Sequence, residues 1–250
     1  MKKALVTGGS SGIGKAFATA LAERGYSVTI IARNAEKLAV ATKELPQKEG
    51  STHRFIAADL ASKEGRQAIM TELKATKYDM LVNDAGIGAG FGFEDVPLEK
   101  LLSMIELNCS ALAALSHAFL STAVAGDQLV NIGSIVSFIP YPGLPLYSAT
   151  KAFVLSLSES LFSLYKSKGV HVLAVCPGPT NTDFFRAAGE TAETAPAKES
   201  LGSPERVVAA ALQALDAKRM FVLPGAKNRA MVFFSRFLPT RAVLWLAARW

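Results

Sequence analysis

The 250 residues are 50% apolar and 19% charged, which suffices for one continuous core and excludes a disordered or fibrous chain. Two cysteines far apart in sequence, Cys109 and Cys176, suit reduced, buried thiols better than a disulfide framework, and His53, His117 and His171 share no metal-ligand spacing with them or with one another, so no structural metal is expected. The net charge of +6 is local: from Lys218 onward there are seven basic residues and no acidic one, leaving a near-neutral body without the basic stripe of a nucleic-acid binder.

The first residues, MKKALV, begin like a signal peptide, but the apolar run stops at Val6 and glycines follow, so no h-region forms and a cytosolic protein is predicted. Lys3 to Thr7 reads as a strand, TGGSSGIG as a loop and KAFATALAERG as an amphipathic helix. Gly8, Gly12 and Gly14 follow G-x-x-x-G-x-G rather than G-x-G-x-x-G, with the same physics. Glycine lets the backbone approach a pyrophosphate, and the helix start offers unpaired N–H groups and a positive dipole end.

A second strand, YSVTIIAR, ends at Arg33, where a dinucleotide fold meets the adenine ribose. An acid there favours a free 2′-hydroxyl. An arginine pairs instead with a 2′-phosphate, so NADP(H) is preferred over NAD(H). A helix over 35–45 stops near Pro46, and THRFIAADL reads as a third strand ending at Asp59, with Asp59 and Leu60 flanking the adenine. Asp59 serves equally as an N-cap for the next helix, over 62–76.

The second half starts at YDMLVNDAGIGAGFGF, a fourth strand running into glycines. Asn83 can tie strands together, Ala85 and Gly86 leave room beside a cofactor, and 88–93 reads as a mobile substrate loop. Pro97 opens a long helix that carries Asn108 through ALAALSHAFL. An asparagine in so apolar a helix must find partners.

The stretch NIGSIVSFIPYPGLPLYSATK then sets a serine, a tyrosine and a lysine together. Ser134 ends an apolar strand, where open α/β sheets place ligands and where a hydroxyl can hold a carbonyl oxygen. Tyr147 and Lys151 lie one above the other if the segment is helical. A nearby cation is expected to pull the phenol down from about 10. Tyr26, Tyr78, Tyr141 and Tyr165 have Ile30, Val82, Pro145 and Gly169 at the same offset, so the pairing belongs to Tyr147 alone. The strand VHVLAV leads into a turn at Pro177 and Gly178, where Thr180 and Thr182 offer hydroxyls and amides to a nicotinamide amide and to phosphates. The small, polar run over 184–203 reads as a substrate lid. A helix over 203–217 and a short strand, MFVLPG, precede the basic apolar tail.

Strands alternating with helices imply α/β architecture: one doubly wound, Rossmann-type parallel sheet of about seven strands with helices on both faces. Residues 1–225 form the catalytic domain and 226–250 the tail.

In this order the motifs resemble the classical short-chain dehydrogenase/reductases over 3–223. The family's glycine motif is similar to Thr7–Gly14, which adds Thr7, Ser10, Ser11 and Ile13 to the cofactor-binding set. Its Asn-Asn-Ala-Gly motif is similar to Asn83–Gly86, with Asp84 departing from asparagine at a position taken as outside the reacting groups. Its Tyr-x-x-x-Lys is similar to Tyr147–Lys151 and its Pro-Gly turn to Pro177 and Gly178. The catalytic asparagine and serine then fall on Asn108 and Ser134. The resemblance implies hydride transfer at nicotinamide C4, with Tyr147 as general acid and Ser134 polarising the carbonyl. Lys151 would hold the nicotinamide ribose, and Asn108 would support a water relay.

The expected substrate is a carbonyl compound or alcohol, apolar or lipid-like, since Phe91, Phe93, Phe138, Tyr141, Phe184 and Phe185 lie near the expected pocket. The alternative is a dinucleotide-binding redox sensor without turnover. The family resemblance also implies a homo-oligomer, dimer or tetramer, for which the apolar faces over 112–120 and 153–162 are candidates. In the tail, Arg236, Pro239 and Arg241 interrupt any membrane span, which leaves an interfacial helix in peripheral membrane contact or packing on the body or on a second subunit.

Overall fold

A computed structural model describes residues 1–88, 93–184 and 201–249. The loop predicted over 88–93 and the lid predicted over 184–203 lie largely outside them, as do Phe91 and Phe185.

The chain alternates β1 (Lys3–Thr7), α1 (Gly12–Glu23), β2 (Ser27–Ala32), α2 (Ala35–Lys43), β3 (Arg54–Ala57), α3 (Lys63–Ala75) and β4 (Met80–Asn83). A long helix follows in three pieces, α4 (Leu98–Ile105), a π-helical turn (Glu106–Ala111) and α5 (Leu112–Leu120). Then come β5 (Gln128–Ile132), a 3-10 turn (Ile135–Ser137), α6 (Pro145–Lys166), β6 (His171–Val175), α7 (Pro204–Asp216), β7 (Phe221–Val222), α8 (Ala226–Ser235) and α9 (Thr240–Ala247). Pro97 is the N-cap of α4 rather than its first helical residue.

The seven strands form one sheet in the order β3-β2-β1-β4-β5-β6-β7, every pairing parallel. The order reverses between β1 and β4, which opens a crevice at the carboxyl ends of those strands. Register aligns the ends: Thr7 pairs with Asn83, and Asn83 with Asn131.

Alternation along the strands feeds two cores. Ala4 and Val6 of β1 face Phe17 and Leu21 of α1, Leu38 of α2 and Leu212 of α7, whereas Leu5 faces Leu73 of α3 and Leu115 and Phe119 of α5. The 98–120 helix is long and apolar enough to cross a membrane by length and composition, yet Leu101, Met104, Leu107 and Phe119 are built into cores of the body. Leu112, Leu115, Ala118, Phe119 and Leu120 are buried, so the 112–120 face expected at a subunit interface is spent inside. A third core joins Ile135, Ile139, Leu155 and Cys176 to Val232 of α8 and Ala247 of α9, so the inner face of the tail packs on the α/β body.

Candidate active site

A cleft of about 770 Å³ runs across the carboxyl edge of the sheet. The glycine loop forms its floor, with Gly8, Ser10, Ser11, Gly12 and Ile13 along the wall. Ser11 is the N-cap of α1, but its hydroxyl bonds none of the first-turn amides; the Gly14 amide meets the Asp84 carboxyl, and those of Gly12 and Ile13 have no partner among the described residues and can meet an anion. Gly12 has φ +55°, and a Cβ there would lie 3.0 Å from Thr182 Cγ2, so the loop after β6 closes against it. Pro177, Gly178, Thr180 and Thr182 line this side, and Thr180 bonds the Gly178 carbonyl at 2.9 Å.

At one end stand Arg33, Asn34 and Lys37. Asn34 caps α2, its side chain accepting from the Lys37 amide at 2.8 Å. Both Arg33 and Lys37 are exposed and make no ion pair among the described residues. Lys37 was missed by sequence reasoning, although its place in the first turn after Arg33 was the available signal. Leu60 is buried against the cleft, and Asp59 lines it while bonding the Ala61 amide. The N-cap of α3 is Ser62, not Asp59.

Two motif residues work behind the wall. Thr7 is buried, its hydroxyl accepting from the amides of Asp84 and Ala85 at 3.0 Å each. Asn83 is buried too, donating to Asn131 at 3.0 Å and to Ser116 at 3.1 Å, which ties β4 to β5 and α5. Neither lines the cleft, and nor does Gly14. Ala85 and Gly86 do.

The other end is built by β5 and α6. Tyr147 lies in the first turn of α6, with Lys151 one turn on and its Nζ 5.6 Å from the phenol ring centre. Lys151 is 6% exposed and donates to the Ile132 carbonyl at 2.8 Å. Ser134 caps the 3-10 turn and hydrogen-bonds Tyr147. Asn108 occupies the π-helical turn, where π-bulges often serve functional sites. Its amide donates to the Ile87 carbonyl at 2.9 Å and to Thr150 at 3.1 Å, and its oxygen accepts from the Ile87 amide at 3.0 Å. A Cβ on Gly86 would sit 3.2 Å from Asn108 Oδ1 and 3.5 Å from Lys151 Nζ, so glycine here leaves room that a side chain would take from Asn108.

The electrostatics correct one expectation. Burial raises the Tyr147 phenol above its ordinary value, and the Ser134 hydrogen bond lowers it only in part, with Asp84 and Cys176 adding to the rise. Burial likewise lowers Lys151, against the pull of Asp84. In this structure desolvation therefore outweighs any acidifying effect of the lysine.

Asp84 is more central than its sequence position suggested. It lines the cleft, with Oδ2 only 2.8 Å and 2.7 Å from where a Cβ would sit on Gly8 and Gly14. Burial pushes its carboxyl up to about 7, against the charge of Lys151 and the Gly14 amide.

Tyr141 and Phe184 of the aromatic set line the cleft, the Phe184 ring 5.1 Å from that of Tyr147. Phe138 packs on Phe221 in the third core, and Phe93 is exposed outside the cleft. Val136, Leu144 and, from α8, Met231 complete the apolar wall. Nothing in the sequence signalled Met231. Among the described residues no group of His, Cys, Asp and Glu is placed to hold a metal ion.

Comparison with known proteins follows the same lines. The family model for short chain dehydrogenase matches residues 2–193. Sulfoacetaldehyde reductase 2 of Chromohalobacter salexigens is 34% identical over 75% of this chain and 77% of its own length. A very-long-chain 3-oxoacyl-CoA reductase of Anas platyrhynchos is 37% identical over 70% of this chain, which spans only 58% of that protein. A short-chain dehydrogenase from Sphingobium yanoikuyae, solved in complex with NADPH, superposes with a TM-score of 0.83 at 32% identity, covering 90% of this chain and 88% of its own. With the parallel sheet, its cleft and these matches agreeing, the chain belongs to the short-chain dehydrogenase family of oxidoreductases.

Proposed function

We propose that the protein is an NADP(H)-dependent oxidoreductase interconverting an apolar carbonyl compound and its alcohol, with Tyr147 exchanging the proton at the substrate oxygen. The observation that carries this reading is the convergence of Ser134, Tyr147 and Lys151 on one wall of the cleft that the glycine loop also lines. The amides of Gly12 and Ile13 at the start of α1, and Arg33 and Lys37, which make no ion pair among the described residues, suit a dinucleotide bearing a 2′-phosphate. Bound nicotinamide supplies or accepts the hydride.

In this reading Ser134 Oγ donates to the carbonyl oxygen and Tyr147 Oη delivers its proton there. The raised phenol keeps that proton in place until charge develops on the oxygen. Lys151 holds the nicotinamide ribose, and Asn108 fixes the Ile87 loop and supports a water relay to the lysine. Tyr141, Leu144, Phe184 and Met231 offer apolar contact rather than charge, which favours a long or bulky ketone. The 3-oxoacyl-CoA reductases among the relatives make a 3-oxoacyl thioester the first candidate. Exposed Leu98 and Leu102 on α4 and Phe153 on α6 favour a homo-oligomer, which sedimentation equilibrium would detect.

The test is titration with NADPH and NADH, followed by NADPH oxidation against apolar ketones, aldehydes and 3-oxoacyl thioesters. Tighter binding of NADPH with turnover of an apolar carbonyl is expected. Binding without turnover across the panel would favour the redox-sensor reading instead.

A further inference from the structure

Among the described residues, the outer face of the C-terminal helices gathers exposed aromatic rings in mutual contact. Phe233, Phe234 and Phe237 are 57%, 64% and 73% exposed, and their rings contact one another, with centroids 5.5 Å apart for Phe233 and Phe234 and 5.2 Å apart for Phe233 and Phe237. Trp245 on α9 is 59% exposed, and the Arg249 guanidinium lies 3.5 Å from its ring centre. Core packing does not account for these side chains, because Val232 and Ala247 already hold the helices to the body. Between 226 and 249 there are five basic residues and no acidic one, and none of the five makes an ion pair among the described residues.

Clustered exposed aromatics with unpaired cations are the chemistry of an interface between water and anionic lipid: rings enter the headgroup boundary while Lys and Arg meet phosphate. A second copy of this chain fits less well, since a self-complementary contact would set the same cations against themselves. We propose that the outer face of α8 and α9 docks on the surface of an anionic lipid bilayer. One geometric link gives the docking a use. Met231, which walls the cleft, precedes the exposed Phe233 by less than one turn of α8, so the helix that meets the lipid also borders the cleft. The docking surface stands apart from the carbonyl-reductase reading, whereas delivery of a lipid-like substrate along α8 rests on it.

The experiment uses the whole chain carrying Trp250→Phe, which leaves Trp245 as the single indole. Vesicles of phosphatidylcholine, with and without phosphatidylglycerol, are mixed with the protein; co-sedimentation and Trp245 emission are read at low and high salt. Binding to the phosphatidylglycerol vesicles, a blue shift of Trp245 and weakening by salt are expected. Replacing Phe233, Phe234 and Phe237 by serine should lower partitioning by roughly tenfold or more per ring that enters the lipid. Arg236→Gln with Arg241→Gln keeps the aromatic face and should weaken binding to anionic vesicles alone, which covers the case of a triple variant that misfolds by circular dichroism. The proposal falls if the protein stays in the supernatant, or if both folded variants pellet like the parent. It falls equally if the face instead mediates self-association, lost in the triple variant, without lipid binding. Turnover enters neither readout, so failure of the carbonyl panel and failure of docking are separable.

Discussion

The two ends of the cleft solve the handling of charge in opposite ways. At the end proposed to react, Lys151 is 6% exposed and Asn108 2%, with hydrogen bonds to the Ile132 carbonyl, the Ile87 backbone and Thr150. Burial there moves the phenol, the ammonium and the Asp84 carboxyl away from their ordinary values. At the opposite end Arg33 and Lys37 stand exposed and without ion pairs among the described residues. Desolvation makes each buried group sensitive to its neighbours, whereas solvent screening makes the exposed cations inexpensive to place and modest in effect. Changes at the first end should therefore alter chemistry and pH dependence, and changes at the second should alter affinity.

The largest effect is expected from Tyr147→Phe, which removes the proposed proton donor and leaves the ring against Phe184. Turnover should fall by about 10²- to 10⁴-fold with NADPH affinity kept; near-normal turnover in steady-state assays would break the assignment of the reacting end.

Asp84→Asn comes next and reports on pH. The carboxyl is held at about 7 in the folded chain, against about 3.9 when unfolded. The folded state therefore binds the extra proton, and this contribution to stability is complete below about pH 4 and lost as pH rises through 7. Relative to the parent, Asp84→Asn should gain about 2–3 kcal/mol between pH 5 and pH 8, read from urea midpoints at the two values. Parallel pH curves for the two proteins would show that Asp84 is not desolvated as the structure has it.

Arg33→Ala should weaken NADPH binding by roughly 10- to 100-fold, the range of a charge-assisted hydrogen bond, while NADH binding stays unchanged. An equal loss for both cofactors in fluorescence titrations would remove the 2′-phosphate reading. Lys37→Ala alone is the smallest change, about 1 kcal/mol or less for an exposed charge, again confined to NADPH. If Lys37→Ala exceeds Arg33→Ala, the two cations have exchanged roles.

Much of this was legible in the chain because local rules and global fold agree. Apolar runs of strand length separated by amphipathic helices leave few topologies, and the glycine loop, Arg33, Ser134, Tyr147 and Lys151 fall at strand ends where a doubly wound sheet collects them. Other features depend on packing partners far away in sequence. The π-helical turn at Asn108 interrupts a helix whose sequence reads as continuous, at the place where its amide bonds the Ile87 backbone. The face over 112–120 is apolar whether it meets a core or a subunit, and only the position of α3 and β1 sends Leu115 and Phe119 inward. Asp84 reads as a minor departure until Gly8, Gly14 and Lys151 enclose it.

By itself the sequence determined the periodicities, the glycines at the loop and the i, i+4 spacing that puts Tyr147 and Lys151 on one face of α6, since these depend on bonded geometry and neighbours within a turn. The tertiary structure decided which groups lose water. It set Tyr147 higher rather than lower, placed Met231 in the cleft wall and turned Phe233, Phe234 and Phe237 outward. Desolvation and exposure are properties of everything that surrounds a side chain, and that surrounding is assembled only when distant segments meet.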